Sequence, residues 1–340
     1  MSGQRQRLTG QLSRIIVVFP ACHGVAVTPD DLGLELGWLI DRPPLAVDVE
    51  LVDSVERAPD ATLVWQLDEP PDFGLPAITS QSWREPADSV WVGNTLNLSL
   101  RVDYRRNVVS VAAKRGDRQV ILEALASVAL PLVAQRSGSL VLHASAACID
   151  GSAVMLCAES GSGKSSLLMG LVAAGWQALS EDQCVVDLDR GGHHRVWPGP
   201  SWARLKRGAD LPPLVVEQPS RFETVDKVAW DLGEQVAHSP ADIDRIVLLE
   251  PPGGNDLTWE PLAEAEVIGA LARHATWMHR ADAFAPAVLP GLVKLGMSVP
   301  GFRMRIPRQP DWLEHGVALL AERSPAGRDE KRVDVRPITL

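Results

Sequence analysis

The sequence predicts an α/β chain of the α+β kind, a smaller β-rich N-terminal domain followed by a domain in which a phosphate-binding loop leaves an antiparallel hairpin. Three observations carry this. Leu96, Leu98, Leu100 and Val102 alternate with Asn97, Ser99, Arg101 and Asp103, the period of a strand with one buried face. Asp150-Gly151, a favoured two-residue hairpin turn, separates the apolar runs 140–149 and 153–157. Ala158-Glu159-Ser160-Gly161-Ser162-Gly163-Lys164-Ser165 comes immediately after. It leads into a helix with Leu167, Leu168, Leu171 and Val172 on one face and Gly175 at its end.

Along the first half, residues 14–19, 46–52, 61–67 and 108–113 read as further strands, with a turn at 104–107 and loops around Pro43-Pro44 and Pro70-Pro71. Residues 119–135 carry apolar side chains at helical spacing and lead to Gly138, where a second domain begins. Beyond the loop helix, 176–179 and 184–188 form a strand pair around Glu181-Asp182. Residues 246–250 are a core strand ended by Pro251-Pro252. From Ser324 the sequence becomes charged and proline-containing. The expected division is a β-rich N-terminal domain over 1–138, serving acceptor recognition or assembly, a phosphate-loop domain over 139–323, and a flexible charged tail over 324–340.

A chain of 340 residues, 46% apolar and 22% charged, buries a sizeable core. Its formal net charge of −10 speaks against nucleic-acid or anionic-membrane surfaces, which require clustered Lys and Arg. Cys22, Cys148, Cys157 and Cys184 lack metal-site spacing and read as small core residues in a reducing compartment. No export signal and no membrane-spanning stretch are evident, so a cytoplasmic protein is expected. The 11 tryptophans are read as core and rim packing.

In the loop, glycines allow backbone N–H groups to turn inward around a polyphosphate. Ser160, Gly161, Ser162, Gly163, Lys164, Ser165 and Ser166 are the candidate nucleotide-binding residues, with Lys164 reaching the β and γ phosphates and the Ser165 hydroxyl on Mg²⁺. A nucleoside triphosphate, ATP or GTP, is the implied ligand. The first glycine of the strict pattern is replaced by Ala158, which calls for compensation. Glu181 and Asp182 are the candidates for a metal-holding carboxylate and a base, in either order. His143 is either a satisfied core residue or an orienter of the acid-base group. Arg204, Lys206, Lys227, Arg303 and Arg305 are candidate phosphate or acceptor contacts. His193-His194 reads as an exposed turn.

Taken together, Leu-His-Ala-Ser-Ala around His143, the loop from Glu159 to Ser165, and Gly175 followed by Leu179-Ser180-Glu181-Asp182 resemble the bacterial HPr kinase/phosphorylase superfamily, over about half the chain. Weaker similarity continues through Trp197-Pro198-Gly199, Arg204-Leu205, Lys227 and Arg303. The resemblance implies a fold related to phosphoenolpyruvate carboxykinase, with the phosphate loop in a mixed or antiparallel sheet, in agreement with the hairpin. It implies nucleotide and Mg²⁺ at Lys164 and Ser165, Glu181 and Asp182 as base and metal carboxylates, and His143 beside them. The sequence departs from the family in three ways: Ala158 in the loop, Glu181 in place of an aspartate, and no Glu-Ile-Arg-Gly-type segment of the kind that accompanies HPr recognition. HPr is therefore a poor acceptor.

Members of that superfamily with a divergent N-terminal domain resemble peptide-tailoring kinases of ribosomal natural-product pathways, lasso-peptide kinases among them, so the expected reaction is transfer of a γ-phosphoryl group to a serine of a precursor peptide. The alternatives are a kinase of a small hydroxylated metabolite and a nucleotide-binding regulatory module without transfer, which Ala158 and Glu181 motivate. A motor or switch NTPase is weakened by the lack of an aspartate after residues 246–249. Family members form rings or dimers, so a homo-oligomer is open, although the sequence offers no interface of its own.

Overall fold

The computed structural model describes residues 19–22, 25–28, 38–40, 45–52, 54–69, 78–85, 88–94, 98–113, 118–159, 161–188, 193–206, 220–223, 227–251, 253, 256–275, 285–307 and 311–323. It is a mixed α/β architecture. The first sheet holds β1 (Phe19–Cys22), β2 (Val25–Thr28), β3 (Trp38–Ile40), β4 (Leu45–Leu51), β5 (Thr62–Glu69), β6 (Ile78–Glu85), β7 (Ser89–Asn94), β8 (Leu98–Asp103) and β9 (Val108–Ala113). Their order is β3-β1-β2-β4-β9-β8-β7-β6-β5. Strand β4 runs parallel to both β2 and β9, and β5 to β9 form an antiparallel meander.

The alternation read around residue 100 is real. Leu100 and Val102 are buried while Arg101 and Asp103 are not, and Asn107 takes φ 54° in the turn to β9. Of the strand expected at 14–19, only Phe19 falls among the described residues. The loops at Pro43-Pro44 and Pro70-Pro71, Ser160, and the tail 324–340 lie outside them. Strands β6 and β7 escape the sequence reading, because Ile78–Glu85 is mostly polar and shows no two-residue period.

The helix expected at 119–135 is α1 (Arg118–Ala124), which passes through a π-helical turn at Leu125–Ala129 into α2 (Leu130–Arg136). Its apolar residues join Val47, Leu100 and Val111 of the first sheet to Val141, Val185 and Trp202 of the second half, in one continuous cluster. Apolar burial thus runs across Gly138, the boundary that the sequence suggests.

The second sheet begins with β10 (Leu140–Leu142), β11 (Ala144–Ile149) and β12 (Ser152–Ala158), followed by α3 (Lys164–Ala173), β13 (Gln177–Ser180), β14 (Cys184–Leu188) and β15 (His194–Val196). A separate antiparallel sheet comprises β16 (Trp202–Lys206), β17 (Ser220–Glu223) and β18 (Lys227–Asp231), in the order β16-β18-β17. The chain then adds β19 (Ala241–Leu249), β20 (Thr258–Pro261), α4 (Glu264–His274), α5 (Ala285–Ser298), β21 (Gly301–Arg305) and α6 (Trp312–Glu322).

The hairpin of β11 and β12 forms as expected. Asp150 and Gly151 both take positive φ, 51° and 77°, as a tight turn matched to strand twist requires. On its other edge β12 pairs in parallel with β19, and β19 in parallel with β21, so the loop strand has one antiparallel and one parallel neighbour. His194, expected in an exposed turn, opens β15 and is 1% exposed. Val196 lies two residues on, on the same buried face, which draws the pair into the core. Cys148, Cys157 and Cys184 are free and buried, and burial pushes the Cys157 thiol up to about 12.

Candidate active site

Two antiparallel segments, 140–149 and 177–188, run side by side and break at the same level. Leu142 pairs with Cys184 and Ala146 with Ser180, but His143 lies between β10 and β11, and Glu181 to Gln183 lie between β13 and β14. The breaks free both segments from the ladder and turn their side chains toward one another. The backbone N–H of His143 donates instead to the carbonyl of His274, at 2.7 Å. Across the gap, Gln183 N–H donates to Glu181 O at 2.9 Å, while Asp182 between them has φ 71°. This is a γ-turn of the rarer, left-handed sort, and it holds an acidic residue in a sparsely populated conformation. The Ser180 hydroxyl braces it from below by donating to Gln183 O.

The phosphate loop begins where β12 ends. Ala158, at the position of the missing glycine, is still in the strand, paired with Leu249 and 2% exposed, so no glycine is needed there. The positive φ values fall later, at Gly161 (85°) and at Gly163 (87°), the residue that precedes α3. A β-carbon on Gly163 would stand 2.9 Å from the indole of Trp312, at the start of α6. Helices α3 and α6 also approach closely at Gly170, beside Leu313 and Val317, and at Gly316, beside Leu167.

A cleft of about 330 Å³ is lined by residues that include His143, Glu159, Lys164, Ser165, Glu181, Asp182, Arg204, Lys206 and Lys227. Gly161, Gly163 and Ser166 line it too. Ser162 is buried, 2% exposed. Among the expected contacts Arg204, Lys206 and Lys227 are brought in from β16 and β18, strands that the sequence does not announce. Arg303 and Arg305 are not in the lining. Arg303 is engaged by Glu250 at 3.2 Å and Glu266 at 3.1 Å, and Arg305 by Glu250 at 2.5 Å.

Within the cleft the polar groups form one chain. Lys164 Nζ is 3.0 Å from His143 Nε2, so the ammonium donates there and the imidazole keeps its proton on Nδ1. Nδ1 lies 3.2 Å from Asp182 Oδ1. The other oxygen of Asp182 accepts from Arg204 at 2.5 Å, and Arg204 continues to Glu123 of α1, also at 2.5 Å. Glu181 is set apart: its carboxylate accepts from the Ser165 hydroxyl at 2.8 Å and lies 3.8 Å from Arg204 Nε. The Asp182 side chain is 19% exposed and that of Glu181 4%.

These surroundings drive the two carboxyls apart. Burial, reinforced by Asp182, pushes Glu181 up. Burial also opposes charge on Asp182, but Arg204, His143, Lys164 and Lys227 outweigh it and hold that carboxyl below its ordinary value. Burial and the Lys164 ammonium depress His143, against the pull of Asp182. His274, whose carbonyl receives His143, is depressed to about 4 by burial and by Lys164, and so is neutral near pH 7. Neither His274 nor Glu123 stands out in the sequence, since each is one titratable residue on an ordinary helix and only the fold brings it here.

The cleft therefore presents four cations, Lys164, Arg204, Lys206 and Lys227, against three carboxylates, in a chain whose overall charge is −10. Together with two left-handed glycines and a helix start, that donor set fits a polyphosphate. The Ser165 hydroxyl donates its proton to Glu181, which leaves its oxygen lone pairs open on the cleft side, the donor type a hard divalent cation takes. No cluster of three or more His, Cys, Asp or Glu side chains able to hold a metal by itself occurs among the described residues. Nor is any described helix long and apolar enough to cross a membrane.

The chain is similar over residues 108–224 to a family described as SynChlorMet cassette protein ScmC. That segment begins at β9 and takes in Glu123, His143, the phosphate loop, Glu181, Asp182 and Arg204. No curated protein matches the chain. Among solved structures it is similar to the Hpr(Ser) kinase/phosphatase from Coxiella burnetii, at 11% identity and a TM-score of 0.29, with 54% of this chain and 95% of that one covered. That likeness is too distant to define a shared fold.

Proposed function

We propose that this protein is a Mg²⁺-dependent kinase that transfers the γ-phosphoryl group of ATP or GTP to a hydroxyl acceptor. The observation that carries the reading is the placing of Lys164, Ser165, Glu181 and Asp182 on one cleft, with cations in excess around the loop. The nucleoside triphosphate is the donor substrate. Bound Mg²⁺, held by Ser165 with Glu181 or Asp182 through water, would neutralise phosphate charge.

The chain's own groups divide the remaining work. The loop N–H groups and Lys164 bind phosphate. For Lys164 this means leaving His143 Nε2, because an ammonium at 3.0 Å from a ring nitrogen is free to turn to a stronger acceptor. Glu181 holds the Ser165 hydroxyl from behind. Asp182, on the open side, accepts the acceptor hydroxyl's proton, and His143 and Arg204 keep its two oxygens in place. A carboxylate of low pKa suffices for this, since phosphoryl transfer has a loose transition state and makes little demand on base strength. Lys206 and Lys227 line the cleft where developing charge needs offsetting.

For the acceptor we favour a serine of a precursor peptide, with a small hydroxylated metabolite as the alternative. Residues 1–138 would form the recognition or assembly domain and 139–323 the transferring one. The test is transfer of label from γ-³²P ATP and GTP to serine-containing precursor peptides, to a panel of hydroxylated metabolites and to HPr. Lys164→Ala is expected to abolish it. Asp182→Asn is expected to lower kcat by about 10² to 10⁴-fold. Nucleotide bound tightly with no label on any acceptor would instead support the regulatory-module reading.

A further inference from the structure

We infer that Glu123, on α1, is a positioning residue of the transfer site, acting through Arg204 on Asp182. The inference rests on the phosphoryl-transfer reading and adds to it a part played by the helix ahead of the phosphate-loop half. Arg204 meets three carboxylates. One terminal nitrogen takes Asp182 Oδ2, the other takes Glu123 Oε1, and Nε lies 3.8 Å from Glu181. With Glu123 occupying one arm of the fork, Arg204 grips Asp182 through a single nitrogen and leaves Oδ1 to His143. Were that arm vacant, the planar guanidinium would be free to close on Asp182 with two parallel bonds, its preferred geometry with a carboxylate. Closing so would draw Asp182 away from His143 and from the acceptor side of the cleft.

The placing of Glu123 is itself constrained. It sits on a helix whose neighbours Leu122, Ala124 and Leu125 are buried in one cluster with residues such as Val141 and Trp202, which fixes the backbone from which the carboxylate reaches Arg204. The Arg204 side chain is 15% exposed and Glu123 26%, which shields the pair from solvent enough for its geometry to hold. The surface-ion-pair alternative, an ornament contributing little, applies poorly to a guanidinium that also carries a residue in a left-handed γ-turn.

The experiment uses the full chain and ATP with Mg²⁺, following phosphoryl transfer to water, which needs no acceptor identity, and nucleotide affinity by calorimetry. Glu123→Ala is expected to lower kcat by about 10 to 100-fold, the cost of a small misplacement, with nucleotide affinity unchanged because the phosphate loop is untouched. Glu123→Gln, which keeps an oxygen for Arg204, is expected to recover most of the rate. In an Arg204→Ala background, Glu123→Ala is expected to add no further loss. Should Glu123→Ala fail to fold, Glu123→Asp, which withdraws the carboxylate by one methylene, is expected to lower kcat at unchanged affinity. A wild-type rate in Glu123→Ala, a loss confined to nucleotide affinity, or losses that multiply with Arg204→Ala would each overturn the role. Wild-type protein that binds ATP but transfers its γ-phosphoryl group neither to water nor to any of the acceptors named above would overturn the transfer reading, and this role with it.

Discussion

Single residues decide what the cleft can do, and two of them do so through the backbone. Gly163 combines φ 87° with an indole packed against the place of its β-carbon. Gly163→Ala therefore costs about 1 to 2 kcal/mol in backbone strain alone and must also push Trp312 aside. The expected outcome is a lowered Tm together with nucleotide affinity reduced at least tenfold, read by thermal unfolding and by titration with ATP. Asp182 is the counterpart, an acidic residue held in a conformation that most side chains avoid. The pattern from Ser160 to Ser165 was legible in the sequence because glycine spacing and the Lys-Ser pair report the loop directly. The substitution at Ala158 looked like a defect only because the sequence does not show where β12 ends. Arg204 was legible as a candidate phosphate or acceptor contact but not as the partner of three carboxylates, since these come from segments far from it along the chain.

At the scale of elements, the site exists because two strand segments are interrupted together and because a helix pair clamps the loop. Gly170 of α3 faces Leu313 and Val317 of α6 at distances no β-carbon tolerates, 2.9 and 2.7 Å. Gly170→Leu should force the helices apart and with them the contact of Trp312 on Gly163. A loss of about 3 kcal/mol in urea unfolding is expected from overpacking, along with weakened ATP binding. Both the Asp150-Gly151 hairpin and the one-sided strand at 98–103 could be read from sequence, because turn chemistry and two-residue alternation are local signals. The parallel pairing of β12 with β19 was not, since its partners lie some ninety residues apart and each is largely apolar. Nor were β16 to β18, which bring Arg204, Lys206 and Lys227 to the cleft. Ser220–Glu223 has no apolar period, and Trp202–Lys206 is too short to announce one.

For the whole molecule, the buried imidazole of His274 makes stability depend on pH in a definite direction. The folded-state pKa of His274 is lowered from 6.5 to about 4, so the unfolded chain binds the proton first. Its contribution is complete above about pH 6.5 and is lost as pH falls toward 4, by at most about 3 kcal/mol. His143 is depressed as well and adds to the same trend, whereas Glu181, raised by burial, works against it. Denaturant midpoints should therefore fall between about pH 6.5 and pH 4. His274→Asn should flatten that fall while lowering stability near pH 7; an unchanged slope would mean that His274 titrates normally. The continuous apolar cluster from Val47 to Trp202 makes the two halves one cooperative body at this scale, so a single unfolding transition is expected across the range.

The π turn at Leu125–Ala129 gives the long helix one residue more than an α-helical path would use, which rotates everything after it by about 100° relative to the part before it. The helix is thereby given two aspects. Before the turn Glu123 faces Arg204, and after it Leu130 to Gln135 are all enclosed. An uninterrupted helix would set the two parts about 100° differently about the axis. Removal of one residue from this turn would set the apolar half correctly and swing Glu123 off the guanidinium, or the reverse. Chain length at this turn thus sets the aim of Glu123 at Arg204, a residue that lines the cleft.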